Sequence, residues 1–206
     1  VLNQAIHSAP SNHSYREELA LAYYLSKNYD RAQEVINPLL KNDQADARTY
    51  QVAGSIYMAQ QDNKNAQKTY ERGLKKFPNS GQLYNDFGLF YFGQDKYEPA
   101  LRNWIKGIQM DPTFAGNYYN AARTYYYSKD KVWAILYGEI FINLESFTIR
   151  TAEIKGILLD AYKKLFSDPQ LLTGALPDND KNKNEDENFH AAFLQTLARQ
   201  SSVIST

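Results

Sequence analysis

From Gly81 to Phe114 the chain reads GQLYNDFGLFYFGQDKYEPALRNWIKGIQMDPTF, and its apolar residues fall into two runs at helical spacing. Leu83, Tyr84, Phe87, Phe90 and Tyr91 recur every three or four residues. After the polar break Gln94-Asp95-Lys96, so do Tyr97, Ala100, Leu101, Trp104 and Ile108. Asp111-Pro112 predicts a stop, because the residue before a proline is pushed out of the α region. The pattern predicts two short helices joined by a turn.

This unit returns at a step of 34 residues: Tyr91 has counterparts at Tyr23, Tyr57 and Tyr125, and Ala100 at Ala32, Ala66 and Ala134. With 17 tyrosines among 206 residues, three further matches to a first tyrosine arise by chance on the order of once in 2000, so the repeat is real. A small residue falls at Ala20, Gly54, Gly88, Ala122 and Gly156, and a proline at Pro10, Pro78 and Pro112. Each helix pair carries an apolar face that it cannot bury alone, so pairs must stack. The small column lets helix backbones approach, while the tyrosines and Trp104 fill the gaps between units. Gly138 departs from the pattern, standing where Tyr70 and Trp104 stand in earlier units.

The step of 34 residues, with a tyrosine late in the first helix, an alanine early in the second and a proline at the exit, resembles the tetratricopeptide repeat over about residues 1 to 160. The resemblance implies an all-α fold, a right-handed superhelical solenoid of stacked antiparallel helix pairs forming one continuous domain. Residues 13–46, 47–80, 81–114 and 115–148 are its repeats. Residues 1–12 read as the second helix of a preceding repeat, which leads to the expectation that the chain is a fragment whose N-terminal piece was removed. Residues 149–206 read as a degenerate repeat helix, a polar loop at 178–188, and a capping helix from near Glu187 that carries Phe189, Phe193 and Leu197. In the first full unit Leu19, Ala22 and Tyr23 are expected to face inward, and Pro38 to kink the second helix.

Composition removes several classes of function. Lys+Arg and Asp+Glu both total 23, so the whole chain carries neither a nucleic-acid footprint nor an attraction to anionic membranes. The absence of cysteine removes disulfides, thiolate metal sites and cysteine nucleophiles, and leaves cytoplasm and periplasm or envelope both compatible. No apolar run approaches the length needed to cross a bilayer. His7, His13 and His190 belong to different elements and form no ligand pair, and no phosphate-binding glycine loop or GxSxG elbow occurs. No catalytic residue, metal or cofactor is therefore expected. Asp95, Asp111 and Asp130 fall at turns, where capping the backbone is their ordinary role.

In tetratricopeptide-repeat proteins the first helices line a concave groove that receives a peptide or an extended partner segment. The resemblance carries that groove onto three columns: Glu17, Gln51, Asn85, Tyr119 and Glu153; Leu21, Ser55, Leu89, Arg123 and Ile157; and Tyr24, Met58, Phe92, Tyr126 and Asp160, with Asn120 and Tyr127 beside them. The expected centre is the tyrosine-rich helix from Asn117 to Tyr127, because tyrosine gives contact area at little entropy cost. The lysine, asparagine and arginine cluster with which one subgroup grips chaperone tails is missing, since Glu17, Leu21, Gln51 and Ser55 occupy its columns. The expectation is a non-catalytic scaffold for a protein or peptide of unknown identity, without nucleic acid. A glycan-binding accessory protein of the cell envelope, stacking sugars on the tyrosines, and an architectural spacer are the alternatives. The Asn, Lys and Tyr-rich composition resembles that of uncharacterised repeat proteins of Bacteroidetes-type bacteria.

Overall fold

The structure, a computed structural model, describes residues 13–41, 45–128, 130–167, 189 and 191–197. Among them the regular structure is helical: α1 (His13–Leu25), α2 (Tyr29–Leu40), α3 (Ala47–Ala59), α4 (Asn63–Lys76), α5 (Gly81–Phe92), α6 (Tyr97–Met110), α7 (Ala115–Tyr127), α8 (Lys131–Leu144) and α9 (Ile149–Ser167), with residues 191–197 also helical. The helix pattern read from Gly81 to Phe114 thus falls on α5 and α6. The expectations for residues 1–12, for the loop at 178–188, for the start of the capping helix and for His7 and His190 lie outside the described residues. No helix among the described residues is long and apolar enough to cross a membrane.

The turn inside each helix pair is built the same way three times. Lys27, Gln61 and Asp95, each 34 residues from the next, sit in the left-handed region at φ 61°, 61° and 59°. The amide that follows each one donates back to the carbonyl of the repeated tyrosine: Asn28 to Tyr23, Asp62 to Tyr57 and Lys96 to Tyr91, at 2.8, 2.9 and 3.1 Å. This closes the first helix on its last orphan carbonyls. The second helix then starts on a polar side chain in two of the three turns, with Asn28 accepting from the Arg31 amide and Asp62 from the Asn65 amide. Left-handed backbone costs a residue with a Cβ about 1–2 kcal/mol, and no glycine occupies these three positions. Only the repeat itself betrays them. Asp95 and Asp111 do sit at turns, as expected, accepting from Tyr97 Oη at 2.9 Å and Thr113 Oγ1 at 2.7 Å respectively.

The chain forms two compact units, Val1–Asn117 and Tyr118–Thr206. In the first, α1 packs on α2, α3 on α4 and α5 on α6, while α2 also packs on α3 and α4 on α5. The first helices also meet, α1 with α3 and α3 with α5. The alanine column lies at the centre, with Ala32, Ala66 and Ala100 wholly buried. Gly54 and Gly88 show why the small column is needed. A Cβ on Gly54 would lie 2.4 Å from the ring of Tyr70, and one on Gly88 2.1 Å from the ring of Trp104, so the second helix lays its large aromatic against bare backbone of the first. Ala20 is the buried small residue of α1, whereas Ala22, expected inward, is exposed. The small column sits three residues before the tyrosine, and Ala22 falls off that face. Helix α2 runs on through Pro38 to Leu40.

The second unit meets the departure at Gly138 in another way. With no aromatic there, the slot is entered from α9: a Cβ on Gly138 would lie 2.9 Å from Leu158 and 3.3 Å from Ile154. Tyr118 and Tyr125 of α7 turn toward α8, where Tyr137 lies 6.2 and 5.8 Å from them, and Trp133 continues the aromatic run to Phe189 at 5.7 Å. The described part of the C-terminal helix is anchored by buried Leu194, while Phe189 stays half exposed. Gly156, expected to keep the small column, is exposed with open space where its Cβ would stand.

Candidate functional site

In the first unit the packing of α1 on α3 and of α3 on α5 lays the three first helices side by side, and their outer faces border two adjoining hollows. One, of about 360 Å³, is lined by Leu21, Tyr24, Arg48, Gln51, Val52, Ser55 and Gln82. The other, of about 310 Å³, is lined by Tyr24, Ser55, Met58, Ala59, Tyr70, Asp86 and Leu89. They share Tyr24 and Ser55 and so form one groove crossing α1, α3 and α5. Its walls are mixed. Leu21, Val52, Met58 and Leu89 offer apolar surface, while Gln51, Gln82 and Ser55 offer hydrogen-bonding groups of the kind that fix an extended backbone.

Asp86 is the charged group in the second hollow. Its Oδ1 accepts from Asn85 Nδ2 at 3.0 Å, and its Oδ2 is buried with no hydrogen-bond partner. Burial pushes the carboxyl up to about 6, against the pull of hydrogen bonds from Asn85 and Gln51. Tyr70, beside it, is held above its ordinary range by burial and then by the Asp86 charge. At the rim of the first hollow, Arg48 is paired with Glu18.

Of the residues expected to line the groove, the first unit brings together Tyr24, Gln51, Met58 and Leu89. Tyr24 packs on Tyr29 at 6.0 Å between ring centroids, and Met58 accepts from Tyr70 Oη at 3.4 Å. Phe92 is 38% exposed but sits edge-on to Tyr97 at 5.3 Å and leans on Trp104 at 5.8 Å, so it is tied to α6. Asn85 is half-buried beside Asp86. Glu17 is corrected: it is 3% exposed, and its carboxylate accepts from Thr49 Oγ1, which also closes the capping box of α3. Desolvation holds this carboxyl above its usual range against the hydrogen bond from Thr49, and it offers nothing to a ligand.

The second unit uses the same columns to bind its own helices. Tyr119 Oη donates to Glu153 Oε2 at 2.6 Å, and Arg123 Nε lies 2.7 Å from Glu153 Oε1. The guanidinium groups of Arg123 and Arg150 stand 5.2 and 5.1 Å from the centroid of the Tyr119 ring. Two turns on, Tyr126 Oη donates to Asp160 Oδ2 at 2.6 Å, Lys164 pairs with Asp160 at 2.7 Å, and the ammoniums of Lys131 and Lys164 lie 5.0 and 5.4 Å from the Tyr126 ring. Burial and the Glu153 bond raise the Tyr119 phenol, while the Asp160 bond leads in raising Tyr126. Asn120 is buried. Tyr127 is 77% exposed and leans edge-on to Tyr126 at 5.1 Å. The expected centre at 117–127 is therefore largely engaged in holding α7 to α9.

Sequence reasoning missed Arg48, Val52, Gln82 and Asp86. A signal for Asp86 exists: it lies 34 residues before Asn120, and with Asn85 it interrupts an otherwise apolar stretch, LYNDFGLF.

Comparison with known proteins agrees with this fold. Residues 47–79 match the family model of the tetratricopeptide repeat. Residues 47–79 are thus a tetratricopeptide repeat, and the chain has the fold that such repeats build. In sequence it is similar to an uncharacterised protein of Haemophilus influenzae, 27% identical over 110 residues, which is 53% of this chain and 59% of that protein; the match thus spans about three fifths of the relative's length. In structure it resembles PilF of Pseudomonas aeruginosa, with a TM-score of 0.64 at 18% identity over 92% of this chain and 86% of PilF. It also resembles YrrB, described as a tetratricopeptide-repeat protein with an unusual peptide-binding site, with a TM-score of 0.53 at 17% identity over 75% of this chain and 80% of that one. At these identities the likeness is one of fold, the superhelical solenoid of stacked helix pairs.

Proposed function

We propose that the chain is a non-catalytic protein-interaction scaffold that holds an extended peptide segment in the groove of its first unit, against α1, α3 and α5. The observation that carries this reading is the pair of adjoining hollows of about 360 and 310 Å³ bordered by Tyr24, Gln51, Ser55, Met58 and Leu89. A groove of mixed apolar and amide side chains suits a peptide, whose backbone needs donors and acceptors at short intervals and whose side chains need apolar seats. The peptide-binding site named for YrrB is consistent with such a use. The glycan reading loses its support, because the ring faces of Tyr119 and Tyr126 that sugars would stack on lie against the cations of Arg123, Arg150, Lys131 and Lys164.

The test is selection from a displayed random-peptide library on the immobilised chain, followed by binding measurements on variants that fill the hollows, Ser55→Trp and Leu89→Trp. Leu89 is 40% exposed, so the second variant keeps its fold, and circular dichroism checks both. Peptides that bind the wild type and fail on the filled variants support the groove. Selection that yields no peptide, or peptides indifferent to both substitutions, contradicts it.

A further inference from the structure

Helix α5 turns Leu83, Phe87 and Phe90 into the core, and Asp86 falls at the border of that face, lining the hollow with Leu89. A carboxylate there is costly, because a buried anion without a partner loses hydration and gains nothing in return. Asn85 donates to Oδ1 and Gln51 also reaches the carboxyl, but both are neutral and Oδ2 is left with no hydrogen-bond partner. The groups around the carboxylate are Tyr24 from α1, Gln51, Ser55 and Met58 from α3, Tyr70 from α4, and Asn85 and Leu89 from α5. None carries a positive charge. The ion pairs among the described residues all lie elsewhere, and Arg48, across the groove, is held by Glu18.

We propose that Asp86 recognises a basic side chain, lysine or arginine, on an extended peptide segment lying along α1, α3 and α5, with the peptide's apolar neighbours seated on Met58 and Leu89. This rests on the groove reading above and adds to it the charge of the partner. An ammonium or guanidinium entering the 310 Å³ hollow gives the carboxylate the charge-assisted bond it lacks in the free protein. A neutral side chain in the same seat leaves the carboxylate unpaired, so the site discriminates by charge as well as by shape. Because burial holds Asp86 at about 6, the recognising anion is present at neutral pH and is lost on mild acidification.

The probes are the peptides enriched by the library selection, resynthesised with each lysine replaced by norleucine and each arginine by citrulline. Titration calorimetry at pH 7.5 and pH 5 compares wild type, Asp86→Asn and Leu89→Trp. The proposal expects one basic residue whose neutralisation weakens binding at least about 10-fold, the same loss with Asp86→Asn, and no further loss when the two changes are combined. It also expects wild-type affinity to fall about 10-fold from pH 7.5 to pH 5 and that of Asp86→Asn to hold level. Peptides that fail on Leu89→Trp yet ignore both Asp86→Asn and neutralisation overturn the assignment of Asp86 while leaving the groove standing. A selection without binders, or binders indifferent to Leu89→Trp, removes groove and assignment together.

Discussion

The two units carry the same three columns of first-helix residues and use them in opposite ways. In residues 13–117 members of these columns, Gln51 in one and Tyr24 and Met58 in another, border a groove between helices. In residues 118–167 two of the three columns place a carboxylate 34 positions after a phenol, Tyr119 with Glu153 and Tyr126 with Asp160, and both pairs close at 2.6 Å. A hydroxyl donating to an ionised oxygen makes one of the stronger side-chain hydrogen bonds, and cations over both rings add to it. One repeat register thus yields an open wall or a laced one, according to whether neighbouring residues in a column complement each other.

The contrast is sharpest in the small column. Gly88→Ala drives a methyl into the Trp104 ring and is expected to cost about 1–3 kcal/mol. Gly156→Ala meets nothing within 4 Å and is expected to gain about 0.5–1 kcal/mol as an ordinary helix substitution. Urea unfolding of the two variants, read in parallel, checks both signs. Equal effects would dissolve the distinction between the units.

Asp86→Asn should stabilise the protein at pH 7, on the order of 2–3 kcal/mol. The sign follows from a folded-state value of about 6, above the ordinary 3.8. The carboxyl favours the folded state below its ordinary range, and that contribution is lost as pH rises through about 6. The gap between variant and wild type should therefore open between pH 4 and pH 6.5 in thermal unfolding, and a constant gap would mean that Asp86 is not desolvated. A smaller effect is expected at the laced columns: Tyr119→Phe should speed amide exchange in α9 roughly 3- to 10-fold, while Tyr24→Phe, whose ring borders the open groove, leaves α3 unchanged. The smallest change is Gln61→Gly, which relieves a left-handed residue at φ 61° and should stabilise by a few tenths of a kcal/mol, up to about 1, measured by the shift in urea midpoint.

The fold was legible because stacking leaves a period in the sequence. Tyr23, Tyr57, Tyr91 and Ala32, Ala66, Ala100 mark where helix pairs must meet, and the helices fall where those marks place them. The site was legible only in part, because a column specifies which wall a residue faces and not what its neighbours do to it. Tyr119 and Glu153 share one column, but the column alone does not distinguish two contacts for a ligand from the bonded pair they form. Glu17 shows the same limit, since its buried partner Thr49 lies outside its column. At Asp86 the register gives only a hint, because a carboxylate in a helix is ordinarily a solvated residue and packing decides which one is shielded.

Hydrogen exchange with and without a library-selected peptide tests most directly the claim that the first unit is open and the second laced. The account predicts slowed exchange of amides in α3 and α5 on binding, with α7 and α9 unchanged. Protection confined to α7 and α9 would contradict it.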